Sequence, residues 1–152
     1  MSEFTIVRSQ RIAAEPSRIH ALVNDFRQWP AWSPWEDLDP AMRHSYTGAE
    51  SGVGARHSWV GNSKAGEGSM EITASTPDRI ELALAFLKPF KATNRVRLDF
   101  VPVAGGTDVT WTMSGEQNAI GRLFYALLKM EQALGRDFEK GLARLKALAE
   151  AA

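Results

Sequence analysis

Residues 118–150, near the C-terminus of this chain, read NAIGRLFYALLKMEQALGRDFEKGLARLKALAE and decide its fold. The large apolar residues of this stretch recur at steps of three, four and seven: Leu123, Leu127, Leu134, Phe138, Leu142, Leu145 and Leu148. This spacing predicts an amphipathic helix from an N-cap at Asn118 to Glu150. A helix of roughly thirty residues is about 45 Å long and marginal in water by itself, so it needs a large partner surface.

Three glycines interrupt the predicted helix at positions 121, 135 and 141. Each costs roughly 1 kcal/mol of helix stability compared with alanine. Two interpretations stay open: an ordinary cost carried by the helix, or a bend and a close approach of a strand or ligand.

Composition limits the class of protein. The chain has 152 residues, of which 44% are hydrophobic and 24% charged, so one domain with one core is expected. Lys+Arg and Asp+Glu both number 18, and the resulting net charge of zero argues against nucleic acid or an anionic membrane as the main partner. The absence of cysteine excludes disulfides, thiolate metal ligands and cysteine nucleophiles.

The chain shows no targeting or membrane-spanning pattern. Its first residues lack an apolar segment behind a basic one, and no apolar run approaches the length of a membrane span. No repeat or linker marks a domain boundary. A cytoplasmic protein is therefore expected, and monomer and homodimer both remain open.

The segment before the predicted helix alternates between polar and apolar residues, as strands do. The predicted strands are residues 4–12, 42–47, 55–60, 67–74, 80–86, 94–100 and 109–113. Gly105 and Gly106 predict a hairpin turn between the last two. Because each strand has one apolar face, we expect an antiparallel sheet that the long helix covers on one side.

A short helix is predicted after the first strand, since Pro16 suits a first turn and Ile19, Leu22, Val23 and Phe26 share one face. This helix must end before Pro30. The following residues 29–35, WPAWSPW, then predict a short helical turn or a rigid loop. Either the tryptophans simply anchor that loop, or they form a wall or lid of an apolar pocket.

Standard catalytic and cofactor motifs are missing from the sequence: it has no Walker loop, no G-x-S-x-G, no H-E-x-x-H and no dinucleotide-binding glycine pattern. His20, His44 and His57 are isolated in sequence and lack metal-ligand spacing. We therefore expect neither a metal nor a cofactor.

The apolar face of the predicted sheet is the candidate binding surface. A curved sheet around one helix encloses more volume than its side chains easily fill, and ligand pockets are mostly apolar with a few polar groups. Alternation places the polar His57 beside Trp59 and Asn94 beside Val96 on this face. The candidate ligand-binding residues are Trp32, Trp35, His57, Trp59, Met70, Leu84, Phe86, Asn94, Trp111, Met113 and Leu128.

Each candidate also has a simpler interpretation. His57 could be a core histidine bonded to backbone, Asn94 could lie at a strand end, and the Trp and Met residues could be plain core. If His57 is buried, its pKa should fall below the reference of about 6.5, because burial disfavours the charged ring.

Several segments together resemble a known family. They are GVGARHSWVGN (52–62), GEGSMEIT (66–73), WSPWE (32–36), GTDVTWTMSG (106–115) and DFEKGLARLK (137–146). The chain resembles the polyketide cyclase/dehydrase-type branch of the START-like (SRPBCC) superfamily over nearly its whole length. The resemblance implies an α+β helix-grip fold: a seven-stranded, curved antiparallel sheet around a long C-terminal helix, with two short helices after the first strand. It also implies a cavity for small hydrophobic molecules between sheet and helix.

Three functions follow as hypotheses. The first is binding or carriage of a small lipid-, polyketide- or aromatic-like molecule. The second is a cyclase, aromatase or dehydratase that needs no metal or nucleotide cofactor, with His57 as acid/base and Asn94 polarising a carbonyl; the resemblance transfers no catalytic residue. The third is a chaperone-cofactor or antitoxin-like interaction protein. The small number of inward polar residues favours binding.

Overall fold

The computed structural model describes residues 2–63, 65–88, 91–117 and 121–151; the side chains of residues 2, 3, 37, 116, 117 and 121–131 lie outside this description. Its strands are β1 (Ser2–Ile12), β2 (Arg43–Gly48), β3 (Ala55–Val60), β4 (Glu67–Thr76), β5 (Arg79–Lys88), β6 (Ala92–Val103) and β7 (Gly106–Gln117). Its α-helices are α1 (Pro16–Val23) and α2 (Gly121–Glu150). Two 3-10 helices, Phe26–Ala31 and Glu36–Leu38, lie between α1 and β2.

The seven strands form one antiparallel sheet in the order β1-β7-β6-β5-β4-β3-β2. Strands β2 to β7 follow each other in space as they do in sequence, and β1 joins the free edge of β7. This is the predicted arrangement of a sheet with a long C-terminal helix. Every predicted strand is present, and most are longer than the alternation alone indicated.

The segment between β1 and β2 contains the expected short helices, but they are not all of the same type. Only α1 is α-helical, and the tryptophan-rich stretch begins as a 3-10 helix that contains Pro30. The Asp25 carboxylate accepts the backbone N–H of Arg27 at 2.9 Å and so caps this element. Pro30 has no N–H to donate, and this favours a short 3-10 segment over a continued α-helix.

Helix α2 packs against the inner face of the sheet through the predicted stripe. Phe138, Leu142 and Leu145 are buried, while Leu134 and Leu148 are partly buried against the core. The side chains of Leu123 and Leu127 and the predicted N-cap Asn118 lie outside the described residues. No helix in the described part of the chain combines the length and hydrophobicity that crossing a membrane requires.

Contacts at the C-terminal end of α2 hold it in place. The guanidinium of Arg18, on α1, donates to the carbonyl oxygen of Ala149 at 2.6 Å. The Glu150 carboxylate accepts the backbone N–H of Ala13 at 2.8 Å. The first bond satisfies a carbonyl that the end of a helix leaves unpaired, and the two bonds together fix α2 relative to α1 and to the end of β1.

Candidate functional site

One row of residues crosses the inner face of the whole sheet, each member paired in register with the next. We call this the cross-strand row; from β2 to β1 it consists of Tyr46, His57, Met70, Leu84, Asn94, Gly115 and Phe4. Neighbouring side chains in such a row are within contact distance. Four predicted site residues from four different strands are therefore adjacent in the structure.

The polar members of the row are buried among apolar ones. His57 is 8% exposed and Asn94 is 6% exposed, and between them lie Met70 and Leu84. Asn94 has its space because its partner on β7 is a glycine: a Cβ on Gly115 would come within 2.2 Å of the Asn94 Oδ1. Burying polar groups costs free energy unless they are hydrogen-bonded, so these two positions are costly in a purely structural core.

His44 and His57 form a hydrogen-bonded pair, which we call the histidine pair. The His44 Nδ1 lies 2.7 Å from the His57 Nε2, and the two rings are stacked with their centroids 5.0 Å apart. Two histidines that are isolated in the sequence are therefore in contact in the fold. The reason is tertiary: the β2–β3 register pairs Tyr46 with His57 and His44 with Trp59, so the two histidines are diagonal neighbours on one face.

Charged and aromatic groups surround the histidine pair. The Glu36 Oε1, on the second 3-10 helix, lies 3.3 Å from the His44 Nε2. The Tyr46 ring stacks on His57 at 5.2 Å, and the Arg27 guanidinium lies 5.0 Å from the Tyr46 ring centroid. Burial, followed by the charge of Glu36, raises the pKa of Tyr46, so its hydroxyl keeps its proton at neutral pH.

The electrostatics of His57 favour its neutral form. Burial lowers the pKa of His57 to about 4, and the neighbouring His44 acts in the same direction. This is the direction expected from the sequence. At neutral pH the ring therefore has one N–H donor and one acceptor nitrogen.

The His57 Nδ1 is buried and has no hydrogen-bond partner among the described residues. The indole Nε1 of Trp111 is in the same situation. Leaving a buried donor or acceptor unsatisfied costs about 1–3 kcal/mol. Of the two atoms, only the His57 nitrogen belongs to the cross-strand row.

Three further predicted site residues pack with two core residues into what we call the aromatic cluster. The predicted residues are Trp32, Trp35 and Trp111, and the core residues are Trp29 and Phe138. Trp32 is fully buried, and its indole N–H donates to the Leu22 carbonyl at 3.0 Å. The Trp35 indole N–H donates to the Asp137 carboxylate at 3.1 Å. These contacts anchor the tryptophan-rich segment to the core, as the simpler interpretation of the sequence expected; ligand contact by these residues stays a prediction.

The predicted site residues Trp59, Phe86 and Met113 lie beside the cross-strand row. Trp59 contacts Phe86 edge to face, with centroids 5.9 Å apart, and both residues are partly buried. Met113 is buried in the next row with Val96 and Ile6. The side chain of Leu128 lies outside the described residues, so its predicted contact stays untested.

Sequence reasoning missed His44, Tyr46 and Glu36. The signal for the first two was present: alternation along β2 places His44 and Tyr46 on one face, and a short glycine-containing loop returns the chain to His57. Glu36 carried no such signal, because a 3-10 turn brings it to the sheet.

The structure supports neither a serine nucleophile at Ser75 nor a metal site among the described residues. An open groove of about 670 Å³ lies between α1 and the β4–β5 turn, where the Ser75 Oγ is 3.4 Å from the His20 Nε2. The Ser75 hydroxyl donates instead to the Asn24 Oδ1 at 2.7 Å, so His20 does not activate it. Among the described residues no three His, Asp or Glu side chains are arranged to hold a metal; Glu36 and His57 contact opposite nitrogens of His44.

Comparisons with known proteins agree with this architecture. The profile of the family described as "Polyketide cyclase / dehydrase and lipid transport" matches residues 3–150. Protein CV1439 from Chromobacterium violaceum is similar in structure, with a TM-score of 0.69 at 16% identity over 97% of this chain and 99% of that one. No curated protein matches the sequence.

Two further solved structures share the fold. The di-domain ARO/CYC BexL from the BE-7585A biosynthetic pathway gives a TM-score of 0.73 at 17% identity, over 99% of this chain and 51% of that one. The Aha1 dimer from Colwellia psychrerythraea gives a TM-score of 0.66 at 16% identity, over 97% of each chain. At these identities the likeness concerns the fold.

Proposed function

Because the chain belongs to the polyketide cyclase/dehydrase and lipid transport family, we propose that it binds a small hydrophobic molecule between the sheet and α2. The ligand lies along the cross-strand row, against Met70 and Leu84, with His57 and Asn94 at either end of that contact. One observation carries the proposal: the buried His57 Nδ1 has no partner among the described residues, in a row that is otherwise largely apolar.

The composition of the row supports this location. Mostly apolar walls with a few polar groups are typical of small-molecule sites, and the methionines suit an adaptable surface. Trp59, Phe86 and Met113 lie next to the row and extend the apolar wall. The aromatic cluster offers less, because its indole and phenyl rings already pack on one another.

NMR chemical-shift mapping with Nile red, an apolar dye, tests binding and location together. The protein is labelled at the methionine methyl groups and the tryptophan indole nitrogens. We expect the Met70 methyl and the Trp59 indole signals to move on titration, while the Trp32 indole signal stays in place as an internal control. If only the Trp32 and Trp35 signals shift, the dye binds at the aromatic cluster and the proposed location is wrong. If the dye does not bind at all, the proposed function is contradicted.

A second candidate function, an enzyme of the cyclase or dehydratase type, is favoured by the Glu36–His44–His57 arrangement. The His57 Nδ1 could take a proton from substrate carbon while its Nε2 proton passes to the His44 Nδ1, 2.7 Å away. His44 would then be an imidazolium, and the adjacent Glu36 carboxylate would stabilise its positive charge. Asn94 would polarise a carbonyl oxygen.

Dehydration of 4-hydroxy-4-phenylbutan-2-one tests this candidate. Loss of the α-proton and of the hydroxyl group, together as water, forms a conjugated enone that is followed by ultraviolet absorption. The enzyme hypothesis expects turnover that falls about a hundredfold in a His57→Gln variant, the usual effect of removing an acid/base group. Binding without turnover would leave the carrier function.

Two further expectations belong to this proposal: a cytoplasmic location, and a monomer or a homodimer as the assembly. The Aha1 relative is a dimer. Sedimentation of the purified chain distinguishes the two assemblies.

A further inference from the structure

The protonation pattern of the histidine pair follows from the groups at its two ends. A carboxylate only accepts hydrogen bonds, and the Glu36 Oε1 lies 3.3 Å from the His44 Nε2. The negative charge of this carboxylate, 3.3 Å away, favours a proton over a lone pair at that nitrogen, so the neutral form of the His44 ring carries its proton on Nε2. Its Nδ1 is then an acceptor.

The protonation of His57 follows from that of His44. The His57 Nε2 lies 2.7 Å from the His44 Nδ1, and one of these nitrogens must donate. Since the His44 Nδ1 accepts, the His57 Nε2 carries the proton and donates. The His57 ring is neutral at pH 7 because burial lowers its pKa to about 4. Its Nδ1 therefore presents a bare lone pair, and this is the atom without a partner among the described residues.

We infer that the ligand carries an O–H or N–H donor, such as a phenol or an alcohol, that binds the His57 Nδ1. This inference rests on the proposed function and names the chemistry of its ligand. A ligand with only carbonyl or ether oxygens has no proton to offer this nitrogen. Glu36 and His44 thus select the ligand without touching it, by setting which His57 nitrogen is protonated.

A ligand can reach the His57 Nδ1 only after a local rearrangement of side chains. The His57 Nδ1 is covered in this structure, and the Phe26 ring lies 5.8 Å from the His57 ring, centroid to centroid. A bound ligand must displace one of the neighbouring side chains. A hydrogen bond to the buried acceptor offsets part of the free energy that this displacement costs. A ligand of the same shape without a donor forms no such bond, so its binding bears the full cost.

The first experiment measures the tautomer in the ligand-free protein. Imidazole ¹⁵N–¹H correlation spectra at about pH 8 separate protonated from unprotonated ring nitrogens. We expect the His57 Nδ1 to resonate as an unprotonated nitrogen and Nε2 as a protonated one. The opposite tautomer would overturn the inference whatever the protein binds.

The second experiment compares matched probes by isothermal titration calorimetry: 2-naphthol, 2-methoxynaphthalene and naphthalene. The wild type should bind 2-naphthol about tenfold or more tightly than its methyl ether, the effect of one hydrogen bond to a buried acceptor. A His57→Phe variant should lose this preference and keep its affinity for the ether. This variant also shows whether the chain still folds without the imidazole.

A His44→Phe variant tests selection at a distance, because His57 is then free to move its proton to Nδ1. The preference for 2-naphthol should fall, and 2-acetonaphthone, which only accepts, should bind more tightly than to the wild type. Equal binding of all naphthalenes by the wild type would overturn this inference and leave the proposed apolar function standing. Binding of none of them would overturn both.

Discussion

The Phe138 ring lies parallel to the indole of Trp111, with centroids 4.4 Å apart and planes 6° from parallel. Phe138 belongs to α2 and Trp111 to β7, and each is at most 1% exposed. This contact therefore joins the long helix to β7, the strand next to the sheet edge, and it belongs to the face of the helix that meets the core.

Removing this ring should destabilise the fold strongly. We predict that Phe138→Ala costs roughly 3–5 kcal/mol of unfolding free energy, because it deletes a buried aromatic side chain and leaves a cavity against Trp111. Urea denaturation measures the loss. Arg136→Ala, on the exposed face two residues away, is the control and should change stability by about 0.5 kcal/mol or less. A loss under about 1 kcal/mol for Phe138→Ala would contradict the assigned helix face.

The helix glycines at 135 and 141 should respond differently to alanine. A Cβ at position 141 would meet ring atoms, the Pro34 Cδ at 2.9 Å and the Trp111 Cζ3 at 3.0 Å, which pack in the core. The three atoms nearest to a Cβ at position 135 all belong to the guanidinium of Arg8, the end of a long side chain that is 30% exposed. Alanine favours a helix by roughly 1 kcal/mol at both positions, but overpacking costs about 1–3 kcal/mol.

We therefore predict that Gly141→Ala is less stable than Gly135→Ala by at least about 1 kcal/mol. Thermal and urea unfolding of the two single variants measure this difference within one helix. Equal stabilities would mean that close packing against Trp111 is not the reason for the glycine at 141, and the ordinary-cost interpretation would hold.

The free energy of unfolding should depend on pH through the titration of the His57 imidazole. Its pKa is about 4 in the folded protein and about 6.5 in an unfolded chain, so the unfolded chain binds the proton more readily. The contribution of this residue is complete above about pH 6.5, falls as the pH decreases, and levels off below about pH 4. The full loss is up to roughly 3 kcal/mol.

Urea midpoints measured between about pH 7.5 and pH 4 in wild type and in His57→Gln test this expectation. Carboxylate titration is common to both proteins, so the difference between them isolates the imidazole. We expect the wild type to lose more stability over this window. Parallel curves would show that His57 titrates normally in the folded state and is not buried.

The contact between Arg18 and the end of α2 should contribute to stability. Arg18→Ala removes the 2.6 Å hydrogen bond to the Ala149 carbonyl and a cation that favours the negative end of the helix dipole. We predict a loss of about 1–2 kcal/mol. Arg18→Lys keeps the charge and should retain part of it, as urea denaturation can determine. An unchanged midpoint for Arg18→Ala would contradict this role.

The sequence by itself determined the elements of this protein and the faces they bury. Strand alternation has a period of two and helix packing a period near 3.6, so local order alone assigns Leu84, Asn94 and Phe138 to the interior. The same periods predicted the burial of His57 and the direction of its pKa shift. These properties depend on neighbours along the chain, which a sequence displays.

Only the tertiary structure decided which of these residues meet. The contact of His44 with His57 depends on the register of β2 against β3, and the approach of Glu36 depends on a 3-10 turn. The aromatic cluster joins residues of β7 and α2 with those of the tryptophan-rich segment. Pairing across strands and packing across layers depend on the free energy of the whole chain. Periodicity can therefore place a residue on a face of an element, but it does not identify the residue's partner.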